Sequence, residues 1–142
     1  MTLVVDADGH ILEPRNTWID YIHPRFRDRA IRIERDAKDE EVLLIDGKSL
    51  EVVRGRLAAL GGIEMDPSEA LETGKYTYED GCPKGSYDPA ARLEVMDEEG
   101  IDTALLYPTI GICWEGHTQD AGLAHAYTEA YNRWIVDFCS HD

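Results

Sequence analysis

From Asp88 to Pro108 the sequence brackets a helix and a strand in one short stretch, and that bracketing limits the fold more than any other segment. Asp88 is a side-chain cap. Pro89 follows at the first helical position, where its fixed φ and missing N–H are tolerated. Leu93 and Met96 supply an apolar stripe, and Gly100 ends the helix as a C-cap. Thr103 to Tyr107 then reads as a buried strand closed by Pro108. A helix that delivers a strand through so short a turn implies an earlier parallel partner on the same sheet. Leu3 to Ala7 is that candidate, apolar and β-branched. If the extended conformation continues, Val4, Asp6, Asp8 and His10 share one parity, and polar groups gather at the C-terminal end of the strand.

The remaining segments fit around this unit. Pro14, Asn16 and Thr17 mark the exit from the first strand, and Trp18, Ile19, Tyr21 and Ile22 form a short amphipathic turn that Pro24 breaks. Ile31 and Ile33 alternate with Arg32 and Glu34. The run Val42 to Ile45, the pair Asp46-Gly47 and a further run around Leu50 to Val53 complete the pattern of a small antiparallel meander. Residues 55–85, rich in Gly, Pro and acidic side chains, read as loop with at most short helical pieces. A long helix is expected from about Thr118, its capping residue, to Cys139, with Leu123, Tyr127, Tyr131, Trp134, Ile135 and Phe138 at helical spacing. Strand, excursion, helix, strand and helix is the order of a βα-repeating α/β protein. Residues 1–29 and 88–142 carry the repeat, and 30–87 is the insertion.

Composition narrows the function classes. A net charge of −15 spread along 142 residues opposes attraction to nucleic acid or to an anionic membrane surface. No apolar run approaches the roughly 20 residues of a membrane span, and the N-terminus lacks the basic and apolar regions of a secretory signal. Cys82, Cys113 and Cys139 are odd in number, widely spaced and without a CxxC pair, which suits a reducing, cytoplasmic setting.

The strongest chemical signal is Asp8-Gly9-His10. A carboxylate and an imidazole two residues apart on one strand face can point at one ion, and oxygen plus nitrogen donors suit Zn²⁺ or a similar divalent metal. Strand-end Asp and His residues also serve as turn formers and hydrogen-bond partners, so the triplet alone leaves both readings open. Cys113-Trp114-Glu115-Gly116-His117 follows the second strand, where active-site loops of βα proteins lie, so Trp114 and His117 are candidates to line a substrate pocket. A Cys113/His117 nucleophile pair is the less favoured reading, because nothing in the sequence activates the thiol. His23 and His125 read as structural or surface residues.

Three separated blocks carry a family resemblance. They are Val4-Val-Asp-Ala-Asp-Gly-His-Ile-Leu-Glu-Pro14 with Trp18 and Arg25-Phe-Arg-Asp-Arg29; Asp88-Pro89 through Asp102 with Leu105-Leu-Tyr-Pro-Thr109; and Ala130-Tyr-Asn-Arg-Trp134 with Phe138-Cys139. In this order they resemble the opening of the amidohydrolase superfamily, in the branch related to decarboxylases of aromatic and unsaturated acids. The resemblance implies the N-terminal portion of a TIM-barrel-like (β/α)8 fold with a small β insertion. It implies Asp8 and His10 as first-strand ligands of a divalent metal, Zn²⁺ or alternatively Mn²⁺. Aspartate in the first ligand position favours a mononuclear site over a binuclear amidase site. Glu13, just beyond, is an acceptor that steadies a metal-binding side chain or a substrate contact, or else an exposed loop carboxylate.

By the same resemblance the other metal ligands and an acid/base histidine come from later strands, and His141 is not one of them. A full barrel takes about 250 residues, so the chain is expected to be truncated after two βα units, with its catalytic residues unassigned. The implied function is a metal-dependent hydrolase or decarboxylase acting on small organic acids, the aromatic acids among them. The rival is a noncatalytic product of a truncated or split gene that forms a homo-oligomer or binds a companion chain.

Overall fold

The computed structural model describes residues 2–62 and 65–141. The chain is α/β, with two separate sheets. The first pairs β1 (Val5–His10) with β5 (Thr103–Tyr107) in parallel. The second is the antiparallel meander β2 (Arg32–Arg35), β3 (Glu41–Ile45) and β4 (Lys48–Ser49). Helices α1 (Thr17–Tyr21), α2 (Pro67–Ala70), α3 (Pro89–Glu99) and α4 (Ala121–Cys139) complete the regular elements, joined by several short 3-10 turns. Among the described residues no helix is long and apolar enough to cross a membrane.

The bracketing of α3 is as the sequence predicts. The Asp88 carboxylate accepts from the Ala91 amide at 3.1 Å, and Gly100 stops the helix at φ 70°, ψ 34°, a left-handed conformation that glycine adopts without a Cβ penalty. Other boundaries differ. The first strand begins at Val5 rather than Leu3 and runs on through His10. The long helix starts at Ala121 with Asp120 as its cap, the carboxylate accepting from Gly122 and Leu123 at 2.9 and 3.2 Å. Thr118, expected as the cap, is buried, and its hydroxyl accepts from the Asp120 amide at 3.3 Å. The run at Leu50 to Val53 is not strand: β4 ends at Ser49, and Glu51–Val53 curls into a 3-10 turn.

The larger hydrophobic core lies where the meander, α1 and α4 meet. Trp18, Ile22, Ile31, Leu43, Ile45, Leu57, Tyr78, Ile110, Leu123 and Tyr127 all join it. Leu57 and Tyr78 come from the Gly-rich stretch that reads as loop in sequence, so this stretch contributes to the core, its described residues forming α2 and short 3-10 turns. The Tyr127 hydroxyl fastens the layers, donating to the Arg29 carbonyl at 2.5 Å and accepting from the Asp46 amide at 3.2 Å. Arg29 in turn bridges Asp46 in the β3–β4 turn and the Asp120 cap of α4 at 2.6 and 2.7 Å.

The parallel pair is covered unequally. Leu106 meets Ile11, Trp134 and Phe138 in a second cluster. On the opposite face Val5, Leu105 and Tyr107 are 48, 51 and 44% exposed, so β5 is not the buried strand its composition suggests. The physical reason is that, among the described residues, β1 and β5 pair only with each other and no element covers that face.

Sharing one core predicts one cooperative unit. Leu57→Ala should lower the unfolding free energy by about 2–5 kcal/mol, and urea melts followed by tryptophan fluorescence and by far-UV circular dichroism should remain coincident. Separated transitions would mean that residues 30–87 fold apart from α4.

Candidate functional site

A one-residue bulge shapes the end of β1. Val5 and Asp6 stand opposite Thr103 and Ala104, whereas Gly9 and His10 stand opposite Leu106 and Tyr107, so β1 carries one extra residue between Asp6 and Gly9. The Asp6 carboxylate braces the bulge by accepting from the Asp8 amide at 3.0 Å. The extra residue breaks the expected parity: Asp6 is half-buried and Gly9 buried, while Ala7, Asp8 and His10 are exposed, His10 standing opposite Tyr107. The His10 and Tyr107 rings are neighbours, with centroids 6.1 Å apart.

Gly9 is required where it stands. A Cβ there would lie 2.8 Å from Asp6 Oδ2, 2.9 Å from an Arg92 guanidinium nitrogen and 3.1 Å from the Leu105 carbonyl. Arg92, from the first turn of α3, therefore lies directly beneath the bulge, 3.5 Å from the His10 carbonyl. Asp8 and His10 line one cleft of about 1070 Å³ along the free edge of β1, together with Asp6, Arg92, Gly85 and Thr109.

Glu13 is wholly buried, so the reading of an exposed loop carboxylate does not apply. Its two carboxylate oxygens take three backbone amides from the loop after β5: Gly111 at 2.8 Å, Ile110 at 2.9 Å and Thr109 at 3.3 Å. Burial pushes its carboxyl up from the ordinary range, and the backbone hydrogen bonds pull the other way. Gly111 has no room for a side chain, since a Cβ would meet Pro108 at 2.7 Å and Glu13 Oε1 at 2.9 Å. Behind Glu13, the Tyr78 hydroxyl donates to its carbonyl at 3.0 Å. The Tyr78 amide donates to Glu41 at 2.7 Å, and Glu41 is ion-paired with Arg15 at 2.6 Å.

The loop residues singled out in sequence lie elsewhere. Trp114 is half-buried, its ring 5.8 Å from that of Tyr127, against the main core. His117 is exposed one turn further on, its amide bonded to the Trp114 carbonyl. Neither lines the cleft that holds Asp8 and His10. Burial, with Glu13 adding to it, pushes the Cys113 thiol up, opposite to what a nucleophile needs. His23 accepts from the Arg25 amide at 3.3 Å as the cap of a 3-10 turn, and exposed His125 sits 3.6 Å from Glu129. Asp6, Arg92 and Thr109 gather at the site without having been marked individually. The only sequence signal for them was position, beside the Asp8-His10 pair, in the first turn of α3 and after the closing Pro108.

Oxygen and nitrogen from Asp8 and His10 are a donor pair that suits zinc. Among the described residues no group of three or more His, Cys, Asp or Glu is placed to hold an ion.

No family model matches the sequence, and no curated protein does. Among solved structures, a crystal structure of an amidohydrolase from Mycobacterium avium subsp. paratuberculosis K-10 is similar, with TM-score 0.68 and 23% identity over 95% of this chain. The chain spans 38% of the length of that protein. At this identity the likeness is one of fold.

The Glu13 arrangement has a direct test. Glu13→Gln puts an amide donor where a carboxylate oxygen accepted, leaving at least one buried N–H unpaired. It should cost about 1–3 kcal/mol in urea unfolding, and the amides of residues 109–111 should lose hydrogen-exchange protection first. Unchanged protection there would show that Glu13 does not hold the loop.

Proposed function

We propose that this chain forms the first part of a metal-dependent hydrolase or decarboxylase of the amidohydrolase kind, acting on a small organic acid. The observation that carries the reading is the end of β1, where Asp8 and His10 are both exposed and line one cleft at the C-terminal end of a parallel strand. In βα barrels that end is where catalytic groups collect. The amidohydrolase likeness in fold and the three sequence blocks support the same assignment.

Asp8 and His10 would hold the ion, Zn²⁺ by preference and Mn²⁺ as the alternative, with further ligands from strands outside this segment. Such an ion, when bound, polarises water or a substrate carboxylate as a Lewis acid. The rest of the site's work falls to protein groups. Arg92 beneath Gly9 supports the ligand-bearing backbone, and Glu13 fixes the loop that forms the rim. His117, exposed beyond β5, is our candidate for contact with an organic acid. Outside the cleft, Glu13 would hold the loop after β5 and Trp114, packed on the main core, would anchor its far end. The aromatic class of substrate rests on the resemblance.

A second reading is favoured by the exposed apolar face of β1 and β5 and by their outer edges, unpaired among the described residues, which are surfaces that associate. On this reading the chain is a noncatalytic segment that self-associates or joins a companion chain.

Zinc and manganese titration of the purified chain, with sedimentation analysis alongside, separates the two. The metal reading expects one weak equivalent of zinc, lost to background in the Asp8→Ala, His10→Ala double variant, and little or no turnover of aromatic carboxylates by this segment alone, because two protein ligands are fewer than a working zinc site has. Equal zinc uptake by the double variant would remove the metal reading. Sedimentation as an oligomer without specific zinc uptake would favour the second.

A further inference from the structure

We propose that Thr109 is a positioning residue for His10, its hydroxyl taking Nδ1 of the imidazole so that Nε2 is left for the ion; this rests on the metal reading above. The Thr109 Oγ1 atom lies 3.4 Å from His10 Nδ1, and both side chains line the same cleft. In a metal-binding imidazole, the nitrogen that takes the ion is decided by the hydrogen bond the other nitrogen makes. A threonine hydroxyl can accept from Nδ1–H, which leaves the Nε2 lone pair free.

The hydroxyl is useful in this role because its backbone is fixed. The Thr109 amide, with those of Ile110 and Gly111, is held on the buried Glu13 carboxylate. Pro108 restricts the chain just before it, and the absence of a side chain at Gly111 lets the loop close on Glu13. Tyr107 flanks the His10 ring on the neighbouring strand. Glu13 therefore acts on His10 through Thr109: it sits three residues beyond His10 in sequence, yet reaches it by way of the loop after the second strand. This gives the buried carboxylate a function beyond stability.

The test reads the tautomer directly. The full-length chain is labelled with ¹⁵N, and long-range ¹H–¹⁵N correlation spectra of the imidazoles are recorded without metal at alkaline pH, where imidazoles are neutral. Free imidazoles favour the Nε2–H form, and exposed His117 serves as the internal reference. His10 in the wild type is expected mainly as the Nδ1–H form. Thr109→Val should return it to the Nε2–H form, and Thr109→Ser, which keeps the hydroxyl, should restore the Nδ1–H majority. In a parallel zinc titration Thr109→Val should weaken binding by about 10-fold or more, the usual size of an outer-shell loss.

An Nε2–H majority at His10 in the wild type overturns the proposal, as does a ratio that Thr109→Val leaves unmoved. Should Thr109→Val fail to fold, the wild-type and Thr109→Ser spectra still decide it. The tautomer is read without any ion. A chain that shows the Thr109-dependent form but takes up no zinc would therefore defeat the metal reading alone and leave the Thr109–His10 hydrogen bond standing.

Discussion

A carboxylate with no access to water sits between the ends of the two parallel strands. Removing Glu13 from solvent is costly unless its oxygens are engaged, and the chain engages them with three consecutive amides of the loop after β5. This interaction joins segments that are far apart in sequence at the point where their strands end. It also explains neighbours that have no other reason to be as they are, since Gly111 must lack a side chain and Tyr78 must reach the Glu13 carbonyl. Through Tyr78, Glu41 and Arg15 the same contact ties the meander and the Gly-rich stretch to the end of β1. The site inherits its geometry from this junction.

The second organising fact is the asymmetry of the parallel pair. One face is covered by Arg92 and by the aromatic side of α4, while the other carries Val5, Leu105 and Tyr107 in the open. Bare apolar side chains on one face of a two-stranded sheet are a surface suited to being covered. The chain's likeness in fold to an amidohydrolase spans 38% of that protein's length.

Much of this was legible in the sequence where local chemistry decides. The Asp88 cap, Pro89 and Gly100 fixed α3, and alternation located the meander because its inner side is buried. What was not legible depended on distant partners. The bulge at Asp6–Gly9 brings Asp6, Arg92 and the Leu105 carbonyl around Gly9, where a side chain would not fit, and periodicity does not register these distant neighbours. Thr118 and Asp120 are both good caps, and only the burial of Thr118 chooses between them. Leu57 and Tyr78 look like loop residues until the core that covers them is known. Glu13 offered several roles in sequence, and burial with three amides discards the exposed one.

The account stands or falls on whether Asp8 and His10 grip one ion. Anomalous diffraction at the zinc edge from crystals of the chain grown with Zn²⁺ measures this most directly. The account predicts a single strong peak bounded by one Asp8 carboxylate oxygen and His10 Nε2, each about 2.0–2.2 Å away, with Thr109 on the far side of the imidazole. A peak bound elsewhere, or Asp8 and His10 directed apart with no metal between them, would contradict it.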